Sequence, residues 1–333
     1  MSKAFSDILM LRGPVKSQMF IEASRLLRRR WVPVAVAAGA VCVAGAAPAT
    51  AAAAQVTAVD CSANPNALQP AITAASPGDT LQVKGTCIGP FTIGKNLTLS
   101  GIGQAVLDGN QAGSTVTVAN GAQVHLNSLT ITGGKAATFG GGINNQGTLT
   151  VNTSTVKDNT APSGASGGIH NQGTLTVTAS TVRDNYSLGA GGGIGNNGLL
   201  TVTGSDVFGN SGDNGGGIFN YLAGQTATVI GTAVHNNTAR VTGGGGIGNN
   251  AGKVTVSGSA IYGNTAPAGG GIWNGGTLTV TGSSVLLNTA TGGSASGGGI
   301  YKAGGTVTLN LSVVLGNTPH NCAPSGSIPA CIG

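Results

Sequence analysis

Residues 269–290, GGGIWNGGTLTVTGSSVLLNTA, carry the unit from which most of the chain is built: glycines, an Ile, one free position, an Asn, a T-L-T-V-T run, then S-x-V-x-x-N. Aligned on the Ile, the unit recurs at Ile143, Ile169, Ile194, Ile218, Ile247, Ile272 and Ile300, with spacings of 26, 25, 24, 29, 25 and 28. Sixty glycines among 333 residues would suit a disordered chain, but they recur in register with Val, Ile, Leu and Thr, which marks a repeat fold. Alternation sets the faces. Leu149 and Val151, Leu175 and Val177, Leu278 and Val280 share one parity and are expected inside, leaving Thr148, Thr150, Thr174, Thr176, Thr277 and Thr279 outside. Short strands in units of about 25 residues, without helical periodicity, predict an all-β parallel β-helix solenoid of about nine or ten coils.

Two asparagine columns fit this reading. Asn145, Asn171, Asn196, Asn220, Asn249 and Asn274 follow the Ile by two positions; Asn159, Asn185, Asn210, Asn237, Asn264, Asn288 and Asn317 follow the third-segment Val or Ile by three. A buried amide must be paired, so both columns are expected to be structural ladders between coils. Lys302 interrupts the first in the last coil. Upstream, TLQV, FTI, LTLSG, AVLDG, TVTV and LTITG indicate further, less regular coils, and NALQPAITAASPGD places Leu68, Ile72 and Ala75 on one face of a short capping helix. Such a helix would cover the open apolar end of the first coil.

The ends have a different composition. Seven of the fifteen Lys and Arg fall in the first thirty residues, which close on Arg28, Arg29 and Arg30 and run into an uncharged stretch over 31–54 containing Ala49-Thr50-Ala51. That is a secretory signal with a long basic region, for which Met19 is an alternative start. The expected organisation is therefore signal over 1–54, cap and first coil over 55–95, β-helix repeats over 96–318, and a disulfide-bearing tail over 319–333. After cleavage, eight Lys and Arg stand against seven Asp, a balance of 8 − 7 = +1. No dense basic face remains for nucleic acid, and no integral membrane segment is expected after cleavage. Cys61, Cys87, Cys322 and Cys331 remain, and in an oxidising compartment the local pairs Cys61–Cys87 and Cys322–Cys331 are the simplest of three connectivities. No close Cys/His spacing supports a metal site, and no cofactor is expected.

On these motifs the chain resembles right-handed parallel β-helix repeat proteins of the pectin-lyase-like superfamily, over roughly residues 56–333. Its units are similar to the paired GGxI and FxxN motifs of polymorphic outer-membrane proteins, with Val156, Val182 and Val285 where that family prefers Phe. The resemblance implies a right-handed solenoid and raises the question of polysaccharide cleavage. Superfamily enzymes acting on acidic polysaccharides use carboxylates to hold Ca²⁺ or move protons, often with an Arg or Lys nearby. The patterns that resemblance leads one to expect, Asn-Thr-Asp, Asp-Asp, Gly-His-Gly and Arg-Ile-Lys, are absent, and no Glu follows the signal. Asp158 and Asp184, flanked by Lys157 and Arg183, would stack about 5 Å apart in adjacent coils. They are weak catalytic candidates, and a solvated turn is the simpler reading. The scattered histidines, His125, His170, His235 and His320, are expected at the surface or in loops.

Outward columns offer other functions. A T-x-T ladder would suit ice binding, but it is interrupted at Leu199, Ile230 and Lys253. The free position between Ile and Asn reads Asn144, His170, Gly195, Phe219, Gly248, Trp273 and Tyr301 along the coils. Phe219, Trp273 and Tyr301 are the candidate ligand-binding residues, for a glycan or a cell-surface partner, unless a loop such as 292–298 covers them. Late in the third segment Leu286, Val313 and Leu315 turn outward, which calls for cover by the tail or for self-association. The expected protein is secreted, extracellular and non-enzymatic, acting in adhesion or glycan binding. A polysaccharide lyase or glycosidase of the same fold is the alternative, and ice binding a second.

Overall fold

The computed structural model describes residues 53–332. The export signal expected over 1–54 therefore lies outside the described residues except for its last two positions. Each repeat folds as one coil. In the coil opened by the quoted stretch, strand Ile272–Asn274 is followed by Thr277–Thr281, Ser284–Leu286 and the two-residue strand Thr289–Ala290. Every strand pairs in parallel with its counterpart one coil away, as Ile272 does with Ile247 and Ile300. The second and third segments lie in a 19-stranded sheet, the first segments in a ten-stranded sheet, and the two-residue strands in a six-stranded sheet.

The solenoid is a right-handed-type parallel β-helix of about 11 turns, more than the nine or ten expected. The difference arises upstream of Ile143. There Thr80–Ile88 and Leu97–Asp108 run as long continuous strands through positions where later coils break, and their pairing shifts register between Lys84 and Thr86. Without the Gly and Asn punctuation, these coils do not repeat visibly. Strand Val56–Asp60, within the segment assigned to the cap, stacks on Thr80–Ile88 and adds to them.

Inside, each regular coil contributes four aliphatic side chains, such as Ile272, Leu278, Val280 and Val285, all fully buried. Burying each contributes about 2 kcal/mol. The β-branched members suit the pleated, half-buried strand. Corners are made by single residues in the left-handed region. One corner passes through Thr153, Ala179 and then glycines to Leu311, and the other through Asp158, Asp184, Asn236 and Leu287 with glycines between.

Polar groups buried at the corners are paired coil to coil. The first asparagine column is joined by side-chain bonds of 2.7–3.1 Å from Asn145 to Asn274. The second runs at 2.9–3.1 Å from Asn159 to Asn317 and continues to Asn321 in the tail. A third ladder has no counterpart in the sequence reading: Ser154, Ser180, Ser205, Thr232, Ser259, Ser283 and Ser312 each accept a backbone N–H from the preceding coil. Its hydroxyls donate to carbonyls of their own coil or the one before, as Ser180 does to Thr178.

The ends are closed by different means. Helix Leu68–Ala74 buries Leu68 and Ile72 against the first coils, with Ala75 packed beside them, and the Cys61–Cys87 disulfide ties this region together. At the other end strand His320–Ala323 adds to the ten-stranded sheet. The chain then folds back so that Ile328 enters the core, held by Cys322–Cys331 and by a bond from Lys302 to the Ser327 carbonyl. No helix among the described residues is long and apolar enough to cross a membrane.

Candidate functional site

The ten-stranded sheet carries the free position of each unit in unbroken register: Asn144, His170, Gly195, Phe219, Gly248, Trp273, Tyr301 and Ala323. All point away from the core, yet they are not equally open. His170 is fully buried and Phe219 is 7% exposed, whereas Trp273 and Tyr301 are half-buried. Cover comes from the segments that enter each first strand. Phe139, in one such segment, stacks on the His170 ring at 4.5 Å.

The expectation of a surface or loop position therefore fails for His170. Its imidazole sits 3.1 Å from Ser166 Oγ and 3.4 Å from Gln172 Nε2, with the Tyr221 ring edge-on at 6.1 Å. Burial pushes it down to about 4, so it is neutral near pH 7. The difference has a physical origin, since strand alternation reports which way a side chain leaves the sheet and not whether a loop then lies over it. His125 and His320 are exposed and His235 is half-buried.

Tyr221 organises this face and was missed. It follows the ladder residue Asn220, where other coils carry Gln146, Gln172, Asn197, Asn250, Gly275 and Ala303, so a unit alignment shows it as the only aromatic there. Its hydroxyl donates to the Ala190 carbonyl at 2.6 Å, its ring meets Phe219 edge-on at 4.8 Å, and burial pushes the phenol up to about 12. Glycine makes room for both rings. A Cβ on Gly195 would lie 3.0 Å from the Tyr221 ring, and one on Gly248 would lie 2.5 Å from the Phe219 ring.

Beyond these packed rings the face opens. A cleft of about 330 Å³ is walled by Phe219, Tyr221 and Trp273 and edged by Asn214, Thr242 and Asn250. A second, of about 430 Å³, is lined by Tyr301, His320, Ser294 and Ser325. Trp273 and Tyr301 are register neighbours, so the two clefts flank one pair of rings. Loop 292–298 contributes Ser294 and Ala295 to the second cleft.

The 19-stranded sheet holds another aromatic array. In the column Lys157, Arg183, Phe208, His235, Tyr262, Leu286 and Leu315, the three rings stack at 5.0 and 4.7 Å with 6° between planes in each pair. The sequence singles out both ends of this column and His235, but not the alignment of His235 with Phe208 and Tyr262 into one stack. Because the rings turn their faces onto each other, they leave chiefly edges to solvent and make a poor platform for a sugar face. Asp206 Oδ1 lies 3.0 Å from His235 Nε2 beside the stack.

Asp158 and Asp184 sit at left-handed corners of successive coils, each against the cation before it: Lys157 Nζ at 3.1 Å and Arg183 Nη1 at 2.5 Å. Asp158 borders a cleft with Lys135 and Tyr186. Among the described residues no three His, Cys, Asp or Glu side chains come together as a metal site would require. The outward threonines Thr150, Thr176, Thr201, Thr228, Thr255, Thr279 and Thr308 form one unbroken column, with Leu199, Ile230 and Lys253 interrupting the columns beside it.

No protein-family model and no curated protein matches the chain. Among solved structures it is similar to the crystal structure of pectate lyase Pel9A, with a TM-score of 0.53 and 18% identity over 79% of this chain and 78% of that one. At that identity the likeness concerns the fold alone. The chain has the pectin-lyase-like parallel β-helix fold.

Proposed function

We propose that this is an exported β-helix protein that binds glycans at the Trp273 cleft without cleaving them. The observation that carries the reading is the half-buried Trp273 ring set beside Phe219 and Tyr221, with the amides of Asn214 and Asn250 and the Thr242 hydroxyl at the rim of one cleft. Rings supply flat apolar area for the C–H face of a sugar, and rim amides and hydroxyls pair with its hydroxyls. Two disulfides are consistent with an extracellular setting.

Cleavage is the less favoured reading because each aspartate candidate is neutralised by its own neighbour and neither lies in this cleft. Trp273→Ala removes the ring without touching the core, so glycan binding should weaken by at least about tenfold while the melting curve holds. A glycan array followed by calorimetry on the best ligand checks it. Equal binding by variant and wild type, or release of a product by the wild type that Asp158→Asn abolishes, rules the reading out.

A further inference from the structure

Resting on that reading, we infer that the ligand is an uncharged oligosaccharide chain laid along the solenoid axis, across both clefts. Length is the first observation. From Phe219 through Gly248, Trp273 and Tyr301 to Ala323 there are four strand steps in register. At about 4.8 Å per step this is roughly 19 Å, longer than one sugar ring and continuous past the Trp273–Tyr301 pair.

Charge is the second and decides the class. No Lys, Arg, Asp or Glu lines either cleft, and the one imidazole among their lining residues, His320, belongs to the second cleft and not to the Trp273 cleft. The three cations nearest in sequence are engaged or turned elsewhere. Arg240 is held by Asp213 at 2.7 Å and by the Ser187 carbonyl, and it lies over the Tyr186 ring. Lys302 donates to the Ser327 carbonyl. Lys253 begins a strand of the 19-stranded sheet and is exposed on its outer face. A polyuronate would bring a carboxylate with each sugar, and desolvating those carboxylates against rings and amides without counter-charge costs several kcal/mol. A neutral chain meets no such cost: its ring faces lie on Trp273 and Tyr301, and its hydroxyls reach Asn214, Asn250, Thr242 and Ser294.

The test titrates the protein by calorimetry with oligomers of neutral arabinan, galactan, xylan and β-glucan, and with polygalacturonate in the presence and absence of Ca²⁺, each at low and high salt. Trp273→Ala and Trp273→Phe run in parallel, circular dichroism verifying their fold. The expected result is a neutral oligomer bound at least about tenfold tighter than polygalacturonate, insensitive to salt, gaining affinity with chain length, weakened in Trp273→Ala and retained in Trp273→Phe. Polygalacturonate bound as tightly or tighter, with loss in Trp273→Ala, overturns the inference about charge and leaves the glycan-binding reading standing. A neutral ligand whose monosaccharide binds as well as its tetramer overturns the extended chain. No carbohydrate bound by the wild type, or binding indifferent to Trp273, overturns the reading itself.

Discussion

Leu311 is the residue most at odds with its surroundings: it is 95% exposed and holds φ at 48°. The same corner in the four coils before it is Gly204, Gly231, Gly258 and Gly282, for which that backbone is unstrained. A leucine there crowds its Cβ against the chain and gains no burial in return. Leu311→Gly is therefore expected to raise stability by about 0.5–1 kcal/mol, the relief of the left-handed strain outweighing the added freedom of the unfolded chain. Urea denaturation measures it, and a fall in stability would mean that Leu311 makes a contact that its exposure conceals. His170 sets a second expectation at this scale. Its ordinary value of 6.5 falls to about 4 in the fold, so the unfolded chain takes up the proton first as pH drops. Stability conferred by keeping the ring neutral is complete above about 6.5 and is lost as pH falls through about 4, by up to about 3 kcal/mol. His170→Phe should flatten that limb of the stability curve between pH 6.5 and 4, as followed by thermal melts.

At the scale of the element, the ladders carry unequal loads along their length. Asn210 is buried and pairs with Asn185 on one side, Asn237 on the other, and the carbonyls of Val182 and Phe208. Asn210→Ala orphans groups in two coils at once and should cost about 3 kcal/mol, whereas Asn321→Ala, at the end of the same ladder, should cost about 1 kcal/mol. Chemical denaturation of the two variants compares them directly, and equal costs would show that the ladder is not cooperative. Both asparagine columns were legible from sequence because an amide repeated at a fixed offset finds its natural partner in its own copy one coil away. The serine ladder was not, since Ser154, Ser180 and Ser205 sit among many outward Ser and Thr that look alike in the sequence. Core positions such as Ile272 and Val280 were legible from alternation alone. The candidate site was legible only in part: the outward column marks Phe219, Trp273 and Tyr301, but Tyr221 and the loop over His170 depend on contacts between coils that no single unit displays.

At the largest scale, the described solenoid behaves as a stack, in which each coil touches chiefly the coils above and below it. Removing one complete coil should leave every ladder and every inward face in register. Deletion of residues 248–272, the 25 residues that separate Ile247 from the position of Trp273, is expected to give a folded protein whose melting temperature falls by only a few degrees. Deletion of 248–260, about half a coil, places corners opposite strands and should abolish the cooperative transition. Circular dichroism melts distinguish the two, and equal behaviour would mean that the coils are not the units of stability.

The direction of the asparagine bonds gives the stack a polarity. In both ladders Nδ2 of one coil donates to Oδ1 of the next coil toward the C-terminus, from Asn145 to Asn274 and from Asn159 to Asn321. The side-chain amide dipoles therefore align head to tail along the solenoid, as peptide dipoles do along an α-helix, and each bond polarises its neighbour. Such a column ends in a surplus N–H at its C-terminal tip. The first ladder discharges it onto the carbonyls of Gly304 and Thr306, and the second onto the carbonyl of Ile332. The disulfide-tied tail thus terminates an electrical column as well as a hydrophobic one, and reducing Cys322–Cys331 would release the acceptor on which the longer ladder ends.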